Sequence, residues 1–222
     1  MIRHSVSSNS GYKSSLSTYS WSHTQADLAD PKQLYGLLVG IAIYHPSVTV
    51  TSITITTGGN TRNLSVLSAV ILNNLRSEIW TIPDILPDAH EIEITLSGAA
   101  NSSAIASTYA FLGNIGRNTT AFATDTTGLG ITSPLLLEHS IMYANLVSSA
   151  LTGIVDTAIG QARRGTVESA SGTHLVSDVG PVSPLPDPED GTEVSFDGGV
   201  SDDFTMSYLE LLYNNRLAHA IG

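Results

Sequence analysis

Polar and apolar residues alternate without a break over His90-Glu91-Ile92-Glu93-Ile94-Thr95-Leu96. Successive side chains of a strand point to opposite faces. Ile92, Ile94 and Leu96 therefore share one face, and Glu91, Glu93 and Thr95 share the other, as in a half-buried strand of an antiparallel sheet. The same period predicts a strand over 16–24, with Tyr19, Trp21 and His23 opposite Leu16, Thr18, Ser20 and Ser22. Over 33–44 both parities are apolar or small (Leu37, Val39, Ile41 and Ile43 against Leu38, Gly40 and Ala42), which marks a central strand covered on both sides. Between Val50 and Ile53 the apolar parity switches, so a β-bulge is expected near Thr51-Ser52. Gly58-Gly59-Asn60 then reads as a turn.

Further strands are expected over 64–72 and 76–82, split by Asn73-Asn74, and over 104–112. Residues 118–130, rich in Thr and Gly, read as a connection between two halves. Residues 135–159 fit either a helical or a strand period. Strands are favoured because Gly153, Gly160 and the β-branched residues disfavour one long helix. A strand interrupted by Gly172 is expected over 166–176, a Pro-rich loop over 181–188, and strands near Val194-Ser195-Phe196, over 204–208 and over 209–213. The pattern as a whole predicts an all-β fold, an antiparallel two-sheet β-sandwich. It divides into a polar arm (1–15) to be ordered against a partner, one sandwich domain (16–213, with halves 16–117 and 131–213) and a tail (214–222).

Length and composition agree with this reading. A chain of 222 residues with 41% hydrophobic content can bury a sandwich core, and its 13% charged residues leave Ser and Thr to cover the outward positions. The net charge is −11, from nine basic and twenty acidic residues. A basic footprint for phosphate is missing, so neither nucleic acid nor an anionic membrane is an expected partner. The absence of cysteine excludes disulfides and thiolate metal sites. The first ten residues carry no apolar h-region, so no signal peptide is expected.

Candidate chemistry is sparse. Gly-x-Ser-x-Gly is missing, and Ser10-Gly11-Tyr12-Lys13 matches Ser-x-x-Lys without its supporting motifs. Glu91 and Glu93 project from one strand face as glycosidase carboxylates do. Thr95-Leu96 stand where a third carboxylate belongs, so the pair reads as a solvated face. None of the seven histidines has a partner at i+2 or i+4, and His23 reads as packed or hydrogen-bonded rather than as a ligand. Asp187, Glu189 and Asp190 are weak Ca²⁺ candidates without EF-hand spacing. Trp21 and Trp80 are candidate glycan contacts. Asn63, Asn101 and Asn118 lie in glycosylation sequons. No catalytic residue and no cofactor is assigned.

Several segments together carry a family likeness: Tyr19-Ser-Trp-Ser-His-Thr24, Leu37-Leu-Val-Gly-Ile41, Val48-Thr-Val-Thr-Ser-Ile-Thr54 with Gly58-Gly59, Glu78-Ile-Trp80, Glu91-Ile-Glu-Ile-Thr-Leu96, Gly160-Gln-Ala-Arg163 and Ser201-Asp-Asp-Phe-Thr-Met206. They resemble a β-sandwich module of phage virion proteins and secreted bacterial proteins. That resemblance implies a jelly-roll or concanavalin-like sandwich and no defined activity. The expectation is a non-enzymatic structural protein of a virus particle. It would be a capsid decoration, turret or fibre-like component of a prokaryotic tailed virus, or a jelly-roll capsid protein. Such a protein is assembled in the host cytoplasm into the virion, as a homo-oligomer among other virion proteins. A carbohydrate-binding or adhesive module is the alternative, and a diverged glycoside hydrolase stands behind it.

Overall fold

The computed structural model describes residues 2–25, 34–111, 114–125, 141–149, 154–156, 161–179, 196–197 and 203–214. In chain order the strands are β1 (Ile2–Asn9), β2 (Lys13–Thr24), β3 (Leu34–Tyr44), β4 (Val50–Thr57), β5 (Asn60–Asn63), β6 (Ser65–Leu72), β7 (Leu75–Ile85) and β8 (Ala89–Phe111). They continue with β9 (Asn114–Asp125), β10 (Ile141–Ser148), β11 (Val155–Asp156), β12 (Gln161–Ser169), β13 (Gly172–Val179), β14 (Phe196–Asp197) and β15 (Phe204–Asn214). The architecture is the expected all-β sandwich of two antiparallel sheets. β1 to β8 form an eight-stranded sheet along the path β5-β4-β8-β3-β7-β6, with β1 and β2 also on β8. Five later strands form the second sheet, β12-β13-β10-β15-β9, and β11 pairs with β14. Each large sheet is thus drawn from one half of the chain.

The 23-residue strand β8 organises the first sheet. Its N-terminal half lies between β2 and β4, and its C-terminal half between β1 and β3. Small residues, Ser97 to Ser103, join the halves, and β2 carries register shifts between Lys13 and Leu16 and between Leu16 and Thr18. Bulges bend a sheet, and here the first sheet curls over its own apolar face. Ile92, Ile94 and Leu96 of β8 and Ile53 and Ile55 of β4 thereby share one core with Leu37, Val39, Ile41 and Ile43 of β3. The opposite face of β3, β7 and the far half of β8 packs on the second sheet through Leu38, Ile79, Ile105, Tyr109, Tyr143, Val176 and Leu209. A third cluster, including Leu146, Met206, Phe204, Ile154 and Phe196, covers the outer side of the second sheet. β3, β10 and β13 are consequently buried on both faces, as the double apolar parity of β3 requires.

Several sequence expectations need correction. The two strands expected at 90–96 and 104–112 are one continuous β8, because Ala and Ser between them hold strand geometry without breaking it. The strand expected over 166–176 is a hairpin: β12 and β13 meet at Gly172, whose φ of 139° no other residue adopts readily. Residues 118–125 of the expected connection belong to β9, an edge of the second sheet paired with β15. Within the polar arm expected over 1–15, Ile2–Asn9 is β1, laid along β8 of the same chain with Ile2 buried, and Lys13–Ser15 open β2. In the ambiguous 135–159 region, Ile141–Ser148 is strand β10. The expected bulge stands between Val50 and Ser52, and Gly58 and Gly59 supply the positive φ values of the β4–β5 turn.

Candidate functional site

The exposed face of the β2-β8-β4-β5 quarter is the place where sequence chemistry meets solvent. Register sets Glu91 between Ser22 and Thr56, and Glu93 between Ser20 and Thr54. The Ser20 hydroxyl donates to Glu91 Oε1 at 2.9 Å, and Thr56 and Thr61 share a hydroxyl hydrogen bond of 2.9 Å. Both carboxylates are exposed. A nearby cavity of about 100 Å³, lined by Ile55, Thr57, Asn60, Arg62, Ile85 and Leu86, contains no carboxylate. It is far smaller than the several hundred Å³ typical of small-molecule sites.

Titratable groups cluster instead inside the body. His23 on β2 lies directly opposite His90 on β8. The Trp21 indole N–H donates to Ser8 Oγ at 3.1 Å, and that hydroxyl meets His23 Nδ1 at 2.8 Å. His23 Nε2 meets Thr108 Oγ1 at 2.7 Å, so one imidazole ties β1, β2 and the far half of β8 together. His90 is held by Thr57 Oγ1 at 2.5 Å and by the Leu86 carbonyl at 2.9 Å. Burial, with His90 and His4 nearby, pushes the His23 pKa down to about 4. Burial also lowers that of His90.

Where β1 meets the second sheet, Asp178 accepts from Arg164 Nε and Nη2, both at 2.7 Å, and from the Tyr109 hydroxyl at 2.7 Å. His4 packs edge-on against the Tyr109 ring, and Tyr109 packs edge-on against Tyr143. Burial, and then the Arg164 charge, lower the His4 pKa to about 4, while burial beside Asp178 raises that of Tyr109 well above its usual value. Asp178 keeps a bidentate partner when the phenol is removed. Tyr109→Phe is therefore expected to cost only about 1 kcal/mol, read as a modest fall in urea midpoint with unchanged slope.

The third cluster bridges the two sheets where Asn145 of β10 meets β3 and β7. Asn145 Nδ2 donates to the Ile41 carbonyl at 3.0 Å, to Ser77 Oγ at 2.8 Å and to the Glu78 carbonyl at 3.2 Å. Its Oδ1 accepts from His174 Nε2 at 2.7 Å, which leaves His174 Nδ1 to accept from Ser103 Oγ at 2.9 Å. Ser77 Oγ donates to the Asn145 carbonyl, and Ser207 bonds Ser77 through both its amide and its hydroxyl. Full burial pushes His174 down to about 3, so it is neutral at ordinary pH.

The residues singled out from sequence are scattered. Trp21 stacks on Tyr19 against the first core, and Trp80 is buried with its indole N–H donating to Glu78 Oε2 at 2.7 Å. Both rings are therefore committed to packing. Asn63 is exposed on β5. Asn101 donates to Ser171 Oγ and accepts from the Ser15 amide. The Asn118 side chain, and Asp187, Glu189 and Asp190, lie outside the described residues. Among the described residues no group of three or more His, Asp or Glu could hold a metal ion, and no helix is long and apolar enough to cross a membrane. Asn145 and Asp178 drew no attention in the sequence; a polar residue within a doubly apolar run is the signal that marks Asn145, and Asp178, among Thr173, His174 and Ser177, has no such signal.

No family model matches the chain, and no curated protein matches it. Among solved structures it is similar to the STIV MCP, at 9% identity over 100% of both chains and a TM-score of 0.31.

Proposed function

We propose that this chain is a non-enzymatic structural protein of a virus particle, a capsid decoration, turret or fibre-like component of a prokaryotic tailed virus. It works as repeated copies among other virion proteins. One observation carries the reading. The polar groups that the fold gathers (His23 with Ser8 and Thr108, Asp178 with Arg164 and Tyr109, Asn145 with His174) are buried or half-buried ties between strands. Ties of this kind fix one rigid arrangement, as a subunit of a repeating shell needs. The carbohydrate-binding reading has less support, because Trp80 is buried in the core and Trp21 is partly buried against it.

The test is mass spectrometry of density-gradient-purified particles. The expected result is this chain at a fixed multiple of the major shell protein, with Glu91→Gln incorporated at the same ratio as wild type. Recovery only as free protein, or loss of a sugar-cleaving activity in Glu91→Gln, overturns the reading.

A further inference from the structure

Beyond its backbone ladder, β1 is held on the sandwich mainly by polar contacts. Of its eight residues Ile2 alone is buried, and its ladder on β8 shifts register between His4 and Val6. Gln25 Nε2 donates to Ser5 Oγ at 2.9 Å, and Ser7 Oγ meets His4 Nε2 at 2.8 Å and Ser107 Oγ at 2.9 Å. The link to the end of β2 runs through Ser8 and His23, and chemistry sets its direction. An indole N–H only donates, so Ser8 Oγ accepts from Trp21 and gives its own proton to His23 Nδ1. The Nε2–H of His23 then donates to Thr108 Oγ1. This relay is complete with one proton on the imidazole. A second proton aims another N–H at the Ser8 oxygen and takes away the acceptor of the Ser8 hydroxyl. Just past β1, Ser10 is buried and bonded twice to Ala104: its amide donates to the Ala104 carbonyl at 2.9 Å, and its Oγ accepts from the Ala104 amide at 3.0 Å. The strand therefore has a fixed point at its C-terminal end.

We propose that His23 is an acid-operated latch for β1: its protonation frees Ile2–Asn9 from β8 as far as the Ser10 anchor, while both large sheets stay folded. Among the described residues, the titratable groups that face His23 are His90 across the β2–β8 pair and His4 on β1, and both oppose a positive charge there. Asp88 acts on His90, and Asp178 acts on His4 against Arg164. His23 is fully buried, and Ser8 of β1 is part of its cover. Departure of β1 admits water to His23 and takes His4 away from the Tyr109 ring. Both imidazoles have pKa values of about 4 in the closed form, chiefly through burial, against about 6.5 for an exposed histidine. The advantage of the closed form is thus complete above about pH 6.5 and is lost as pH falls toward 4. Opening β1 breaks one ladder, whereas full unfolding breaks every ladder and all the core clusters, so β1 opens first. The latch is independent of any role in a particle.

Native-state hydrogen exchange of the full chain, with rates corrected for the intrinsic effect of pH, is the test. From pH 7.5 to pH 5.5 the protection of the β1 amides bonded to β8 is expected to fall at least about tenfold. That exchange is expected to pass through an opening with little urea dependence, whereas β10 exchanges through one that depends steeply on urea. In His23→Gln, which does not titrate, the fall at β1 is expected to shrink about tenfold. Ser8→Ala removes the Nδ1 partner and is expected to lower β1 protection about fivefold already at pH 7.5, with β10 unchanged. Equal urea dependence of β1 and β10, an undiminished fall in His23→Gln, or unaltered β1 protection in Ser8→Ala overturns the latch. Should His23→Gln fail to fold, the urea dependence of the wild type and the Ser8→Ala result decide.

Discussion

Gly40→Ala is expected to lower the melting temperature by about 5–12 °C. A Cβ at position 40 would sit 2.2 Å from Asn145 Oδ1 and 2.9 Å from Val176 Cγ2. The Asn145 amide cannot step aside freely, because Ile41, Ser77, Glu78 and His174 hold both of its ends. Overpacking of a dense core costs about 1–3 kcal/mol, and each buried polar group left unpaired adds about 1–3 kcal/mol. A double-mutant cycle separates the two contributions. If the clash is with the amide, Asn145→Ala costs much less in the Gly40→Ala background than in wild type, by about 1–2 kcal/mol of coupling. Additive losses, or a Gly40→Ala melting temperature within 1 °C of wild type, would show that the sheets do not approach as closely as described.

The sandwich was legible because its evidence is local. Alternation over Glu91–Leu96, the double parity of β3 and the parity switch at Thr51 each lie within a dozen residues, and each reports which side of a strand meets the core. What escaped depends on pairing across long separations. No spacing rule sets His23 beside His90, 67 positions apart by the difference of their numbers; only the β2–β8 register does. Gly172 looked like an interruption of one strand because the turn before it, Ala170-Ser171, is too short to leave a break in the pattern. Small residues were ambiguous in the same way. Ser97 to Ser103 has the composition of a loop and the geometry of a bent strand, since pairing with β2 and β3 holds it extended. Gly40 of β3 read simply as a small residue on an apolar face. Its purpose became visible only with Asn145, which lies 105 positions later by the same subtraction.

Acid is expected to unfold the protein well above the pH at which carboxylates begin to take up protons. His174, fully buried, has its pKa lowered to about 3, and His23 and His4 have theirs lowered to about 4, in each case chiefly by burial. An exposed histidine titrates near 6.5. Between that value and the folded-state values the unfolded chain binds protons that the folded chain refuses, so stability falls as pH falls. The contribution is complete above about pH 6.5 and is lost progressively down to pH 4 and below. For His174 the full loss is on the order of 4 kcal/mol. His4 is only half-buried, so solvent screening makes its share smaller. Against a typical net stability of about 5–15 kcal/mol, the buried histidines together are enough to melt the fold in mild acid. Thermal melts from pH 7.5 to pH 4.5 should show most of the decline between pH 6.5 and pH 5, before ordinary carboxylates near pH 4 contribute. His174→Gln is expected to melt lower than wild type at pH 7.5 and to depend on pH less steeply, by about one proton in the linkage slope. A melting temperature that holds level down to pH 5, or an unchanged slope in His174→Gln, would mean that these imidazoles already carry their protons in the folded protein.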